Sequence, residues 1–187
     1  MSGKILLLRH GMTSGNQARR YIGTTDEPLC PEGRAALTQA RFQPVNKVYI
    51  SPMRRCRETA ALLFPGAVLL PVPTLREMDF GIFEGKSYAE LREEPAYQAW
   101  LDSGGEAPIP GGESRAAFCA RCRTGFAEIL AADASDRLAF VVHGGTIMAV
   151  MSAFARPARA YYAWQVGNGH GFLCRRHGAH LDLLEEL

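Results

Sequence analysis

The sequence predicts an α/β protein in which buried strands alternate with helices. Residues 4–8 form an apolar run that leads directly into Arg9-His10-Gly11, and residues 138–142 form a second run that leads into His143-Gly144. Continuous runs of this kind are typical of strands buried on both faces of a parallel sheet. Between them, residues 114–130 carry apolar side chains at helical spacing, which predicts a long amphipathic helix.

The end of the first predicted strand has the side chains of a ligand site. Open α/β sheets bind ligands at the carboxyl ends of their strands. Arg9 offers a planar fork of donors to a phosphate or carboxylate, and His10 can act as nucleophile or general base. Gly11 lets a bulky anion approach the backbone. The tripeptide alone is equally compatible with a strand end whose polar side chains face solvent.

Composition restricts the classes of function. The 187 residues, 47% hydrophobic and 21% charged, fit one soluble domain over 1–187. No apolar run approaches the roughly 20 residues of a membrane helix. The net charge is +2 with the basic residues scattered, so we expect neither nucleic acid nor a membrane as partner.

Cysteine and histidine usage points to the cytoplasm and away from metals. Because the first predicted strand begins within a few residues of the N-terminus, we expect no signal peptide. Five cysteines without framework spacing predict reduced thiols. Cys119 and Cys122 have CxxC spacing inside a predicted helix, where core packing is the simpler interpretation, and His177 and His180 suit a turn. We therefore expect no metal and no cofactor.

The first half of the chain alternates strand and helix after a polar turn. We expect a helix from Pro31 to about residue 42, a strand over 47–50, a helix from Ser51-Pro52 to about 64, and a strand over 69–71. Asn16 lies in the polar turn and could donate to the anion that Arg9 faces, or could cap a short helix.

The middle of the chain predicts a proton donor and a lid. Residues 74–85 mix acids with aromatic side chains and glycines, and a carboxylate among apolar neighbours can have a raised pKa and donate a proton. Pairing of these acids with arginines is the alternative. Two short helices divided by Pro95 and a loop over 103–112 complete a lid-like segment at about 86–112.

The last third supplies a second glycine-rich strand end and a hairpin. A helix over 147–154 follows two glycines, which free its N-terminus to offer backbone N–H groups to an anion. Residues 172–176 and 180–184 predict a hairpin around Gly178.

Four blocks of the sequence together resemble the histidine phosphatase superfamily, also called phosphoglycerate-mutase-like. They are Leu8-Arg9-His10-Gly11 with Thr13 and Asn16, residues 51–60, residues 75–81, and Val142-His143-Gly144. The resemblance implies a three-layer α/β/α sandwich with a mixed, mainly parallel sheet and a phosphohistidine mechanism without a metal.

The resemblance also implies roles for particular residues. It makes His10 the nucleophile and Glu77 the proton donor, with Asp79 and Glu84 as the other acids available. The phosphate clamp would be Arg9, Arg55 and His143. The phosphate pocket would be lined by Asn16, Gly23, Thr24 and Gly144. Met12, Cys30 and Phe83 depart from the family pattern without touching this chemistry.

A further set of residues bears on the substrate. The short chain and Pro110-Gly111-Gly112-Glu113-Ser114 resemble the α-ribazole phosphatase branch of cobalamin synthesis, and Tyr97 and Trp100 could stack on an organic leaving group. We therefore expect a phosphomonoesterase for a small phosphorylated metabolite, α-ribazole 5'-phosphate being the best specific choice beside a broad role. Phosphoglycerate mutase and a non-catalytic phosphate-binding module are the alternatives, and core packing is the alternative role of the aromatic residues.

Overall fold

The computed structural model describes residues 3–40 and 42–187. Residues 1–2 of the predicted domain and position 41 of the predicted first long helix lie outside the described residues. Within the described part, the strands are β1 Lys4–Arg9, β2 Lys47–Ile50, β3 Val68–Pro71, β4 Arg137–Val142, β5 Ala155–Arg156, β6 Gly171–His177 and β7 His180–Glu186. The helices are α1 Ser14–Gln17, α2 Pro31–Gln39, α3 Arg54–Leu63, α4 Tyr88–Leu91, α5 Pro95–Asp102, α6 Arg115–Ala132 and α7 Gly144–Phe154.

The strands form one mixed sheet in the order β3-β2-β4-β1-β6-β7-β5. The pairs β1–β4, β2–β3, β2–β4 and β5–β7 are parallel, whereas β6 runs antiparallel to both β1 and β7. The prediction of a mixed, mainly parallel sheet is confirmed. β5 was not predicted, because two residues carry no readable periodicity.

Alternate residues of β1 face two separate cores. Ile5 and Leu7 belong to the cluster that includes residues of α6 and α7, and Leu6 and Leu8 belong to the cluster that includes residues of α3. A central strand buried on both faces requires a continuous apolar run, which is what the sequence contains. Helices therefore cover both faces of the sheet, as the three-layer prediction requires.

Predicted helix boundaries shift in α2, α3 and α7. α3 begins at Arg54 and not at Ser51-Pro52, because Met53 takes the extended N-cap conformation, with φ −65° and ψ 143°. α2 ends at Gln39 because Ala40 is already extended, with φ −73° and ψ 144°, so the helix is shorter than the predicted span to about 42. α7 begins at Gly144, three residues before the predicted start, because His143 takes the extended N-cap conformation.

The strand register brings three polar residues to one edge of the sheet. Arg9 pairs with Val142 and Ile50 pairs with Val141, so the residues that follow β1, β2 and β4 come together. These are His10, Ser51 and His143.

Across the described residues, no helix has the length and apolarity needed to cross a membrane.

Candidate active site

His10 is buried and held in one tautomer. Its Nδ1 atom lies 2.7 Å from the carbonyl oxygen of Gly11, and because a carbonyl only accepts, Nδ1 carries the proton and Nε2 keeps its lone pair. Burial, followed by the positive charges of Arg55 and Arg9, holds the pKa of His10 well below its ordinary value of 6.5. The ring is therefore neutral near pH 7 and has the form that a nucleophile requires.

The loop around His10 is fixed by its neighbours. The backbone N–H of Gly11 donates to Thr59 Oγ1 at 2.9 Å, and that hydroxyl donates to the carbonyl oxygen of Arg55 at 2.7 Å. On the other side, Asn168 Nδ2 donates to the His10 carbonyl oxygen at 3.2 Å. Strand β1, helix α3 and the loop before β6 thus hold the histidine together.

His143 stands next to His10 and is also neutral. The two ring centroids lie 5.2 Å apart in an edge-on arrangement. Arg55 Nε donates to His143 Nδ1 at 3.4 Å, so Nε2 carries the proton and donates to Ser51 Oγ at 2.7 Å. Burial, Arg55 and His10 hold the pKa of His143 well below its ordinary value.

Arg55 is fully buried in the first turn of α3. Its Nη1 and Nη2 atoms donate to the carbonyl oxygens of Thr25 and Gly23 at 2.8 and 2.9 Å. The same loop is held from its other side by Glu84, whose Oε1 accepts from the N–H groups of Gly23 and Thr25. The loop therefore orients the guanidinium. Arg54 and Arg57 are exposed, in line with the expectation that few of the three helix arginines reach one site.

Arg9 and Asn16 line a cavity of about 330 Å³, whereas His10, Arg55 and His143 are buried and are not among its lining residues. Arg9 Nη1 donates to the Val166 carbonyl oxygen at 2.8 Å, while its buried Nε has no hydrogen-bond partner among the described residues. Asn16 Oδ1 accepts from Asn168 Nδ2 at 2.9 Å and from the Thr13 N–H. With Oδ1 committed, Nδ2 is the group of Asn16 that can donate to a ligand.

Glu77 lines the same cavity. Its Oε1 accepts from the Met78 N–H at 2.9 Å and its Oε2 from the Gly145 N–H at 3.1 Å. These bonds and the nearby Arg55 and Arg9 favour the carboxylate, but burial is the larger effect and raises the pKa of Glu77. The structure therefore gives one half-buried acid beside a pair of arginines, the arrangement expected of a proton donor.

The rest of this cavity's lining, called the outer cavity below, is largely aromatic, and its basic residues Arg20 and Arg115 are already paired. Aromatic side chains from several segments line it: Tyr21, Phe80, Trp100, Phe118, Tyr161 and Tyr162. Arg20 forms an ion pair with Glu90, and Arg115 forms one with Glu106. The outer cavity thus offers flat apolar faces and two cations that each already have an acidic partner.

Some predicted site residues lie elsewhere. Tyr97 is 1% exposed and its hydroxyl bonds to Tyr21 at 2.8 Å, so it packs behind the aromatic wall and does not line the cavity. Its large ring is accommodated by the core cluster around Phe83. Gly23 and Thr24 line a second cavity next to Glu77. A Cβ on Gly23 would lie 1.9 Å from the Met78 carbonyl oxygen. The close approach of these two backbone segments therefore requires glycine at position 23.

The other two acids are engaged in structural roles. Asp79 Oδ1 accepts from the Gly81 N–H at 2.9 Å, closing a local turn. Glu84 binds the loop that orients Arg55, and neither acid lines the main cavity. Gly144 does line it, and a Cβ there would lie 3.5 Å from the Arg9 guanidinium carbon.

Three contributors were not predicted. Asn168 stands between two glycines before β6, a turn signal that could have drawn attention to it. Arg121 shares one helical face with Phe118 and Gly125, where a charged side chain signals a buried partner. Tyr161 carried no signal, because it comes to the cavity from a short 3₁₀ turn that is distant in sequence.

A neutral buried histidine and an arginine at the carboxyl end of β1, with a second arginine in the first turn of α3, define a site for phosphoryl transfer on an α/β fold. The chain belongs to the histidine phosphatase superfamily. The family model "Histidine phosphatase superfamily (branch 1)" matches residues 5–184.

Relatives within this superfamily are named as phosphatases and as phosphoglycerate mutases or mutase-like proteins. The chain is 34% identical over 170 residues to glucosyl-3-phosphoglycerate phosphatase of Mycobacterium tuberculosis, covering 82% of this chain and 75% of the relative. It is 29% identical over 175 residues to adenosylcobalamin/alpha-ribazole phosphatase of Salmonella typhimurium, covering 89% and 87%. The structure of alpha-ribazole phosphatase from Shigella flexneri has the same fold, with TM-score 0.85, 23% identity, and 98% and 95% of the two chains covered.

Proposed function

We propose that this protein is a phosphomonoesterase that hydrolyses a small phosphorylated metabolite through a phosphohistidine at His10. The observation that carries the proposal is the hydrogen bond from His10 Nδ1 to the Gly11 carbonyl oxygen. It leaves Nε2 as a free nucleophile in a site where Arg9 and Arg55 supply the positive charge that a phosphate dianion requires.

The proposed reaction has two steps. His10 Nε2 attacks phosphorus as the bond to the leaving oxygen breaks, and Glu77 gives its proton to that oxygen. The Glu77 carboxylate then takes a proton from a water molecule that attacks the phosphohistidine, releasing phosphate and restoring the enzyme. His143 Nδ1 accepts a hydrogen bond from Arg55 and so helps to orient that guanidinium. The Nε2–H of His143, which donates to Ser51 Oγ in the structure, can donate to a phosphate oxygen instead.

The best specific substrate is α-ribazole 5'-phosphate. Its leaving group is a nucleoside with a flat base, which suits a cavity walled by Trp100, Tyr21 and Tyr161. The pairing of Arg20 with Glu90 and of Arg115 with Glu106 argues against a second anionic group such as a glycerate carboxylate. The same cavity could also accept other small organic phosphates, which would make the enzyme a phosphatase of broad specificity. The buried thiols of all five cysteines suit the cytoplasm as the proposed compartment.

A phosphate-release panel with an adduct assay tests the proposal. Purified wild type should release phosphate from α-ribazole 5'-phosphate faster than from glucosyl-3-phosphoglycerate or 3-phosphoglycerate, and acid-labile phosphate should be trapped on protein during turnover. His10→Ala should lose both signals while keeping its circular dichroism spectrum. Undiminished release by His10→Ala would contradict the mechanism. Conversion of 3- to 2-phosphoglycerate with little free phosphate would indicate a mutase, and binding of phosphate without turnover of any ester would indicate a binding module.

A further inference from the structure

Arg121 of α6 lies outside the main cavity and uses all of its donors on neighbouring groups. Nε and Nη2 donate to the two carboxylate oxygens of Glu113 at 2.7 and 2.8 Å. Nη1 donates to the carbonyl oxygens of Thr74 and Arg76 at 2.9 and 2.8 Å, and Nη2 also donates to the carbonyl oxygen of Glu77 at 2.9 Å. A guanidinium has five N–H donors, so none is left over.

Besides Arg121, the segment is held by the buried side chain of Leu75 and by the turn hydrogen bonds of the Leu75 and Arg76 N–H groups. It runs from the 3₁₀ turn Pro73–Leu75 through Glu77 and lies in no strand or α-helix. Thr146 Oγ1 donates to the Leu75 carbonyl oxygen at 3.2 Å. Three of the carbonyls between residues 74 and 77 therefore depend on Arg121.

The segment lies directly on α6. A Cβ on Gly125 would fall 1.9 Å from Thr74 Oγ1, so the helix backbone and the segment touch. The Glu113 N–H donates to the carbonyl oxygen of Asp79 at 2.9 Å, so the residue that orients Arg121 also binds the chain two residues after Glu77. Arg121 and Glu113 thus bind backbone carbonyl oxygens before, at and after Glu77.

We propose that Arg121, oriented by Glu113, is the positioning residue that holds the proton donor Glu77 against the reacting phosphate ester. The inference rests on the proposed function, since it gives Glu77 the general-acid role. Arg121 acts through the backbone of Glu77 and contacts no substrate. Its effect is on the placement of an acid, for which an error of about 1 Å can cost on the order of 10²-fold in rate.

The leaving group distinguishes this role from a general structural one. An alkyl alcohol must be protonated as it departs, whereas 4-nitrophenol departs as a stable anion and gains little from an acid. The ratio kcat/KM covers the steps up to alcohol release and excludes hydrolysis of the phosphohistidine. Misplacement of Glu77 should therefore lower kcat/KM for an alkyl phosphate and largely spare 4-nitrophenyl phosphate.

The experiment compares Arg121→Met with Glu77→Gln and their double variant on both substrates. We expect Arg121→Met to lose about 10²-fold in kcat/KM on the alkyl phosphate and less than about 3-fold on 4-nitrophenyl phosphate. Arg121→Met should add little to the loss already caused by Glu77→Gln, because both act on one group.

Arg123→Met is the matched control. Arg123 is an exposed arginine of the same helix that donates to the Ala149 carbonyl oxygen at 3.5 Å, and the Arg123→Met variant should behave as wild type. Glu113→Gln keeps the size of the side chain that orients Arg121 and should give a smaller loss of kcat/KM, again greater on the alkyl phosphate than on 4-nitrophenyl phosphate. This variant replaces Arg121→Met in the comparison if Arg121→Met does not fold.

The outcomes separate the two levels of the proposal. Equal losses on both substrates, or an undiminished effect of Arg121→Met in the Glu77→Gln background, would overturn the positioning role while leaving the phosphohistidine mechanism intact. If Glu77→Gln itself shows no dependence on the leaving group, the general-acid role and the inference built on it both fail. Acid-labile phosphate on His10 would still establish the nucleophile in that case.

Discussion

The backbone N–H of Gly145 donates to Glu77 Oε2 at 3.1 Å, and Gly145 leaves the space in which that carboxyl lies. A Cβ on Gly145 would fall 2.3 Å from Glu77 Oε1. Glu77, the proposed proton donor, therefore contacts the first turn of α7, where helix N–H groups favour the carboxylate, while burial favours the protonated acid. The two effects act on the pKa of Glu77 in opposite directions, and the proposed mechanism requires this group both to give and to take a proton.

The first prediction follows from this contact. Gly145→Ala should displace the Glu77 carboxyl and lower kcat/KM for an alkyl phosphate by about 10-fold or more, with the fold retained because alanine is a good helix residue. Steady-state kinetics and circular dichroism would measure both. In Gly144→Ala the new methyl group would meet Arg9 at an ordinary 3.5 Å, so its loss should be much smaller. Equal losses in the two variants would contradict this account.

The second prediction concerns the alkaline side of the pH profile. Burial raises the pKa of Glu77 against the opposing effects of the Met78 and Gly145 N–H groups and of Arg55 and Arg9. Because the acid must be protonated to act, kcat/KM for an alkyl phosphate should fall as pH rises through this raised pKa. Glu77→Gln should be slower by about 10²-fold or more and should lack this decline. A decline of unchanged position in Glu77→Gln would assign it to another group.

The third prediction concerns the acid side. Burial and the charges of Arg55 and Arg9 lower the pKa of His10 well below 6.5, and the attacking ring must be neutral. Activity should therefore persist below pH 6.5 and be lost only as pH falls through the lowered pKa. An NMR titration of the His10 ring, alongside kcat/KM, would check it. A ring that protonates near its ordinary pKa would show that the burial effect is absent in solution.

The sequence predicted the two strand ends well because their chemistry is local. An apolar run followed by a histidine and a glycine marks both His10 and His143, and the parallel register then places their rings 5.2 Å apart. The position of Tyr97 could not be read in this way. Tyr97 and Trp100 are three residues apart on one face of α5, and only tertiary packing decides that Trp100 reaches the cavity while Tyr97 is enclosed. The contribution of Tyr161 likewise depends on a turn far along the chain.

The fourth prediction is independence from a divalent metal. Arg9 and Arg55 supply the charge that a metal ion would otherwise provide to a phosphate. Hydrolysis of 4-nitrophenyl phosphate should therefore be unchanged after EDTA treatment. Activity that disappears on chelation and returns with a divalent cation would contradict the metal-free mechanism, which stays a prediction until then.

The last prediction separates the two neighbouring aromatic residues of α5. Trp100 lines the cavity, whereas Tyr97 stacks behind it with ring centroids 5.9 Å apart. Trp100→Ala should weaken binding of α-ribazole 5'-phosphate by roughly 1–3 kcal/mol, the range for stacking of a base on an aromatic side chain, and should change little for a small aliphatic phosphate that does not reach the outer cavity. Tyr97→Phe keeps the buried ring and removes only the hydrogen bond to Tyr21, so both substrates should bind nearly as they do to wild type. Dissociation constants measured by calorimetry with the inactive His10→Ala protein would avoid turnover. Equal weakening of both ligands by Trp100→Ala would make that side chain a core residue and would remove the stacking basis for a nucleoside leaving group.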